Sequence, residues 1–493
     1  MNDFNLLDLF CGAGGTSTGA AEAIEACGYR PRLTAVNHWD RAIQTHSLNH
    51  PDARHLCTGI DAIKPRELFQ RGELDLLWAS PECTHHSIAR GGMPINDQSR
   101  ATAWCVLKFM DALLPPVVLI ENVKEFKDWG PIGSNGRPLK SRKGEIFEQF
   151  LNSMRSLGYK VGYRLLCAAD AGDPTDRVRL FIQAVRGRRE VVWPNPVRGV
   201  NGVRYRNAEE DVIDWEIPCP SIYERKKALR PNTMKRIFAG LESFGLKDFL
   251  VELRGTDESQ VRNSARELDR PVPTVTAGGG HLGMVKPFLV CMEHGQTVRS
   301  ADRPMPTITT ARGGAIGVVK PFIMSAGGPE CGARSVEKPV GTVLTRDHRA
   351  LVVPSLLPQQ SGGVLRPVSD PVPTVSTSGA IGLVKPFLVQ YYGTGSAHSV
   401  GEPVPTVTTR DRFGLVRPVV EVDGERFVLD IGFRMLQPHE LAAAQGFKRG
   451  YQFSGNKKEQ LKQIGNAVPR RLARAIACAA ITQKSDVSWL RDE

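Results

Sequence analysis

The 493-residue chain has no Cys-x-x-Cys pair among its ten cysteines, so neither a thiolate zinc site nor a disulfide framework is indicated. No uninterrupted apolar run approaches the roughly 18 residues of a spanning helix, and the opening MNDFNLLDLF lacks the basic stretch of an export signal. A reducing cytoplasmic location is therefore expected, with free thiols and no membrane partner. Acid is scarce relative to base: 52 Asp+Glu against 64 Lys+Arg leaves a formal net charge of +12. That excess favours a polyanionic partner, most simply nucleic acid. What remains is the balance of a folded protein, 41% hydrophobic and 24% charged. It is enough chain for two or three domains and argues against wholesale disorder.

Residues 1–185 alternate apolar strands with helical stretches. Candidate strands are Asn5 to Phe10, Arg32 to Val36, Leu74 to Ala79, Val117 to Ile120, Lys160 to Leu166 and Arg179 to Val185. Helix-like segments lie between them at Gly19 to Cys27, Arg41 to Leu48 and Ser99 to Leu114. Strands separated by helices of this length predict an α/β fold with a parallel, doubly wound sheet, whose ligands bind at the carboxyl ends of the strands. Residues 186–270 form a basic connector that includes SIYERKKALRPNTMKRIFAGLESF, partly helical in pattern and rich enough in Arg and Lys to touch phosphates.

From residue 271 to 430 the chain repeats. PVPTVTA at Pro271 returns as PMPTITT at Pro304, PVGTVLT at Pro339, PVPTVST at Pro371 and PVPTVTT at Pro403, at intervals of 33, 35, 32 and 32 residues. A second element, MVKPFLV at Met284, follows as VVKPFIM at Val318, LVKPFLV at Leu383 and LVRPVVE at Leu415. Two short β-branched runs per unit, separated by Gly-rich turns, predict a β-rich domain whose five copies share a core that one copy could not bury. Residues 431–493 turn helical again, in RMLQPHELAAAQGF and IGNAVPRRLARAIACAAI, and are expected to rejoin the first region.

Three strand-end motifs carry chemistry. Asp8-Leu-Phe-Cys-Gly-Ala-Gly-Gly15 is a strand running into a glycine turn, which lets backbone approach a nucleotide-like ligand. Its spacing is not the G-x-G-x-x-G of a dinucleotide site. SPECTHHS, Ser80 to Ser87, puts Cys83 in a polar loop after the apolar run LLWA, where a thiolate can attack an electrophile. Cys83, His85 and His86 make a poor metal set, because adjacent histidines diverge and no fourth ligand has suitable spacing; no metal is expected. IENV, Ile120 to Val123, sets Glu121 at a strand end as a candidate proton donor if burial raises its pKa.

Taken in order, DLFCGAGG, the Pro81-Glu82-Cys83 loop, ENV, Arg177-x-Arg179-x-Phe181, a long insert, LAAAQGF and GNAVPRRLA resemble the DNA (cytosine-5) methyltransferase family over roughly residues 1–185 and 432–493. The resemblance implies a Rossmann-like methyltransferase sheet with an inserted target recognition region. The implied reaction is methyl transfer from S-adenosylmethionine, leaving S-adenosylhomocysteine, to C5 of a cytosine swung out of double-stranded DNA. It implies that Cys83 adds to C6, that Glu121 protonates N3, and that Arg179 and Arg177 belong to the catalytic set.

For the cofactor it implies Asp8, Phe10, Cys11, Gly12, Ala13, Gly14, Gly15, Trp39, Asp40 and Asp61, with Asn466 and Val468 closing the pocket from the C-terminal side. The chain departs from the family's pattern at Glu82, at Asn37-His38 where an acid commonly holds the ribose, and at Thr175. Two readings of the insert stay open. In one, loops at Ala311, Thr345 and Thr409 present arginines to DNA; in the other, most copies are scaffold. Two rival functions also stay open, an RNA cytosine-5 methyltransferase and an inactive DNA-binding relative. The expected setting is a monomer in a prokaryote or phage, in restriction-modification with a cognate endonuclease or in DNA protection.

Overall fold

The structure is a computed structural model. It describes residues 1–81, 98–131, 139–199, 203–223, 229–244, 247–279, 281–291 and 425–488, a few single positions between these, and short strands from 298 to 422. The chain divides into two compact units. One comprises Met1–Ile217, Leu268–His281 and Met435–Glu493; the other comprises Pro218–Glu267 and Leu282–Arg434. Both chain ends therefore fold together, and the run PVPTVTA at Pro271 belongs with them.

The first unit holds a seven-stranded sheet in the order β3-β2-β1-β4-β5-β7-β6. Its strands are β1 (Asp3–Leu9), β2 (Arg30–Asn37), β3 (Arg54–Cys57), β4 (Leu76–Ala79), β5 (Val117–Asn122), β6 (Lys160–Cys167) and β7 (Val178–Val185). The helices α1 (Gly15–Ala26), α2 (Asp40–Asn49), α3 (Gln98–Leu113) and α4 (Glu145–Ser156) provide crossovers. Strands β1 to β5 pair in parallel, as helical crossovers require. The expectation of a parallel, doubly wound sheet holds for β1 to β5 and is corrected at β7, which runs antiparallel to both β5 and β6. The cause lies in the connection: β6 and β7 are joined by a loop that holds one 3-10 turn, Ala169–Ala171, and no α-helix to carry the chain back across the sheet, and such a link returns it antiparallel.

Strands β4 and β5 are buried along their whole length, which is why they read as unbroken apolar runs. One core layer sets Phe109, Met110, Phe147 and Phe150 against one face of the sheet. The other sets Ala20, Ala23 and Ile24 of α1 and Leu472, Ala473 and Ile476 against Leu6, Leu76 and Trp78. Order reverses between β1 and β4, since β2 and β3 lie to one side and β5 to the other. That switch point is where doubly wound sheets open a ligand crevice.

The remaining helices are α5 (Ala208–Asp211), α6 (Pro231–Phe244), α7 (Glu258–Arg262), α8 (Pro438–Ala444), α9 (Lys457–Asn466) and α10 (Arg470–Thr482). In the second unit the strands are β8 (Phe249–Glu252), β9 (Ala265–Glu267), β10 (Leu282–Cys291), β11 (Val298–Ser300), β12 (Phe322–Ser325), β13 (Gly332–Ser335) and β14 (Arg349–Val352). They continue as β15 (Ser355–Leu356), β16 (Arg366–Pro367), β17 (Phe387–Gln390), β18 (Ala397–Ser399), β19 (Phe413–Val416), β20 (Val419–Val422) and β21 (Glu425–Met435). Of the KPF letters, Lys286 to Phe288 lie on β10, and Phe322 and Phe387 open β12 and β17. The later PxPT runs, at Pro304, Pro339, Pro371 and Pro403, lie outside the described residues, as do the loops at Ala311, Thr345 and Thr409. Among the described residues no helix is long and apolar enough to cross a membrane.

Candidate active site and cofactor pocket

Parallel register brings three motif-bearing strand ends side by side. Leu9 of β1 pairs with Ala79 of β4, and Ala79 pairs with Ile120 of β5. The glycine turn, the Pro81 loop and Glu121 therefore leave the sheet from adjacent carboxyl ends, spaced by about 5 Å per strand. Two bonds fasten the edge of this crevice: the Ser80 amide donates to the Leu9 carbonyl at 3.1 Å, and the Asn122 side-chain amide donates to the Pro81 carbonyl at 3.2 Å. Cys83 itself, with residues 82–97, lies outside the described residues.

The turn after β1 is tightly wound. Phe10 has φ 63°, a left-handed conformation that costs a bulky residue about 1–3 kcal/mol and persists only where the surroundings enforce it. The Cys11 amide bonds to the Val36 carbonyl of the neighbouring strand, and the Gly14 amide bonds to the Cys11 carbonyl. Gly14, at φ 96°, is required twice over: a side chain there would be strained, and its Cβ would lie 2.6 Å from the Tyr451 hydroxyl. That hydroxyl donates to the Ala13 carbonyl at 2.5 Å, so the C-terminal segment clamps the turn directly.

Beneath the turn sits a polar chain that the sequence did not reveal. Asp8 is fully buried and accepts through Oδ2 from Thr16 at 2.6 Å and Ser17 at 2.5 Å. With the Ser17 proton committed to Asp8, His46 donates through Nε2 to the Ser17 oxygen at 2.9 Å, and its Nδ1 accepts from His55 Nε2 at 2.8 Å. Burial pushes the Asp8 carboxyl up to about 6. Burial, reinforced by His50 and His55, holds His46 well below the usual imidazole range, so it is neutral. Cys11 is buried and its thiol is pushed well up by desolvation and by Asp8, which makes it inert as a nucleophile.

Glu121 is buried at the end of β5, 8% exposed. Desolvation raises its pKa, while Arg179 and then Arg177 pull the other way. Arg179 Nε lies 3.3 Å from Glu121 Oε1, reaching diagonally across the antiparallel β5–β7 pair. Arg177 points elsewhere: it is buried, and its Nη1 donates to the Val275 carbonyl at 2.6 Å. Beside it, Thr175 bridges Val272 in parallel. Arg177 thus braces the PVPTVTA run.

The remaining cofactor candidates surround the turn. Trp39 precedes α2; its amide bonds to the Asn37 side chain, and Lys462 Nζ stands 4.3 Å from the centre of its ring. Asp40 opens α2 and Asp61 lies in a short 3-10 turn, both exposed. Val468 is buried, and its carbonyl would lie 2.3 Å from a Cβ at Gly15; Asn466 is exposed at the end of α9. At Gly19 an added Cβ would lie 2.3 Å from the Arg470 carbonyl, so the bare face of α1 is what admits the GNAVPRR turn and α10.

A second unpredicted device holds α10. Its first amides have no local cap, and buried Asp173 supplies one, accepting from Arg471 N at 3.2 Å and Leu472 N at 2.9 Å. Asp173 is nearly 300 positions upstream in sequence, so no local pattern signals it.

The profile of the C-5 cytosine-specific DNA methylase family matches residues 4–212 and 390–482, more than half of the chain and both parts of the strand-end site. The protein belongs to that family. Its members are S-adenosylmethionine-dependent methyltransferases. Among curated relatives, the Type II methyltransferase M.AquIA of Picosynechococcus is 29% identical over 199 residues, which cover 39% of this chain and 77% of the relative. The Type II methyltransferase M.AgeI of Thalassovita gelatinovora is 28% identical over 204 residues, 40% of this chain and 43% of the relative. The match thus spans less than half the length of M.AgeI, and the same holds for M.Sau3AI of Staphylococcus aureus. Among solved structures, the S. pombe Dnmt2 methyltransferase aligns at 12% identity over 97% of this chain and 99% of its own, with a TM-score of 0.45.

The pocket residues fit the cofactor. The turn offers main-chain amides, Phe10 and Trp39 offer partly exposed rings, and Asp61 offers an exposed carboxylate that can accept from an amino group. A Cβ built at Gly12 meets only the Phe10 carbonyl, at 3.9 Å, so that side of the turn is open for close approach. Among the described residues no cluster of His, Cys, Asp and Glu could hold a metal ion.

Proposed function

We propose that this chain methylates C5 of cytosine in double-stranded DNA through a transient Cys83–C6 bond, with Glu121 as the acid at N3. The observation that carries the reading is the adjacency of three strand ends: the glycine turn of β1, Pro81 two residues before Cys83, and buried Glu121. When bound, S-adenosylmethionine would supply an electrophilic methyl group, held by Phe10, the Gly12–Gly15 turn, Trp39 and Asp61, with Val468 and Asn466 behind.

The rest is work for the chain's own residues. Cytosine C6 is a weak electrophile, so the base leaves the stack to reach the crevice. The Cys83 thiolate bonds to C6 while the Glu121 carboxyl, whose pKa burial raises, gives its proton to N3. The ring electrons then localise at C5, the carbon that is alkylated; loss of the C5 proton re-forms the double bond and expels the thiolate. Arg179 lies against Glu121 and fixes its orientation. Arg177 acts one step back, by holding the main chain at Val275. The names of the Type II relatives support a role in restriction-modification; a cognate endonuclease and a monomeric state belong to the same proposal.

Trapping tests the reading. Incubation with S-adenosylmethionine and a DNA duplex containing 5-fluorocytosine should give an adduct that survives denaturing electrophoresis and is lost in Cys83→Ser. An adduct on RNA alone would replace DNA by RNA as substrate. Tight DNA binding with no adduct on either would make the chain a binding protein.

A further inference from the structure

The repeat region contains a regularity that appears only once the strands are paired. Five hairpins share one register: Leu250 opposite Arg266, Leu289 opposite Arg299, Ile323 opposite Arg334, Leu356 opposite Arg366 and Leu388 opposite His398. In each, an aliphatic residue on the first strand faces a basic residue on the second. The phase is also fixed in sequence, since every one of these basic residues stands five positions before the proline that opens a PxPT or PVGT run, at Pro271, Pro304, Pro339, Pro371 and Pro403. The pairing thereby exposes a fifth copy of the first strand, Ser355–Leu356, where the KPF letters have changed to VPS.

Among the described residues, the basic residue is always on an outer strand. β9 ends its sheet, β11 flanks β10, β13 and β18 end their three-stranded sheets, and β16 belongs to a two-stranded one. Arg266 itself is exposed, and its guanidinium donates through Nη1 to the Asn263 and Ala265 carbonyls, with no carboxylate among these acceptors. A fold needs prolines and β-branched residues at fixed positions; it has no comparable need for a basic residue at one register position of each edge strand.

We propose that these five positions form a repeated phosphate-contacting element, in which Arg266, Arg299, Arg334 and Arg366, with His398 in the last copy, each supply one contact to the backbone of double-stranded DNA. The inference rests on the DNA reading above and deepens it. Base edges differ from step to step, so a reader of sequence needs different side chains in successive places. The phosphate backbone is the part of a duplex that repeats, and an arginine delivered at the same register in four of the five hairpins matches it. Arg suits this role because its planar fork meets phosphate oxygens with two parallel bonds. The residues thus add affinity and orientation but no sequence preference.

The salt dependence of binding tests this. The full chain is titrated with a fluorescent DNA duplex across a range of salt concentrations, alongside Arg299→Gln, Arg334→Gln, Arg366→Gln and the triple variant. Each released phosphate contact should flatten the slope of log K against log salt by about 0.9, so the triple variant should lose about 2.7. The loss should be the same on duplexes of unrelated sequence. Thermal unfolding is followed in parallel, and Arg→Lys at the same sites should restore most of the slope. An unchanged slope in the triple variant, with wild type still binding and methylating DNA, overturns the proposal and leaves the DNA reading intact. A lowered melting temperature with an unchanged slope assigns the arginines to the fold instead. Wild type that neither binds nor methylates duplex DNA overturns the reading beneath it.

Discussion

Gly19→Ala is the sharpest test of how the two chain ends assemble. In an exposed helix this change stabilises by about 1 kcal/mol, because Gly is the poorer helix former. Here the sign should invert. The new methyl carbon would lie 2.3 Å from the Arg470 carbonyl oxygen, 2.8 Å from Ala473 Cβ and 2.8 Å from the Arg474 amide nitrogen. Carbon contacts normally settle at about 3.5–4 Å, so α10 must retreat on the order of 1 Å along a face that buries Ala20, Ala23, Ile24, Leu472, Ala473 and Ile476.

Overpacking of this kind costs about 1–3 kcal/mol, and with two of the three contacts made to main chain the upper end applies. The Arg470–Glu22 ion pair, whose oxygens lie 2.5 and 2.7 Å from Nη1, would be pulled apart in the same movement. Urea unfolding of Gly19→Ala against wild type measures the cost, with exposed Glu25→Ala on the same helix as a control expected within about 0.5 kcal/mol. A Gly19→Ala protein as stable as wild type would refute the packing of α1 against α10.

Four further expectations follow from the site and the segment that closes it. Glu121→Gln removes the proton donor while keeping its shape, and kcat should fall by about 100- to 10,000-fold with cofactor affinity retained, measured by methyl incorporation and by calorimetry. Because the attacking sulfur must be a thiolate and burial raises the Glu121 pKa, the wild-type rate should show two pH limbs, one set by Cys83 and one by Glu121, and a profile left unchanged in Glu121→Gln would contradict an acid role. Asp8, at about 6 in the folded chain against an ordinary value of 3.8, holds its proton more tightly when folded. Its stabilising effect is therefore complete below about pH 4 and lost as pH passes about 6, an effect of about 2–3 kcal/mol. Asp8→Asn should remove that part of the pH dependence of urea midpoints, and identical pH profiles would refute it. Asp173→Ala should cost about 1–3 kcal/mol by stranding the Arg471 and Leu472 amides, and amide hydrogen exchange should show the loss at the start of α10.

How much of this could be read from the letters depended on the range of the interactions. The strands β1, β4 and β5 were legible because buried parallel strands are continuous apolar runs, and the motifs at their ends announced themselves by composition. The edge strand β3, RHLC, escaped because it is half-exposed and carries a single leucine. The reversed direction of β7 was hidden because its letters are those of any buried strand; only the short connection from β6 distinguishes it. Of the candidate site residues, Glu121 and Arg179 come together, whereas Arg177 turns to Val275. The Asp8–Ser17–His46–His55 chain and the Asp173 cap were invisible because each joins groups that only folding makes neighbours. In the repeats the proline and KPF letters gave the period, but the pairing of aliphatic with basic residues needed the register.

The central claim is that sulfur 83 activates a cytosine ring carbon. It is tested most directly by digesting duplex DNA to nucleosides after incubation with enzyme and S-adenosylmethionine, then measuring methylated bases by mass spectrometry. The account predicts 5-methyldeoxycytidine alone, abolished in Cys83→Ser. Methyl groups on an exocyclic nitrogen, or undiminished 5-methyldeoxycytidine from the Cys83→Ser protein, would contradict it.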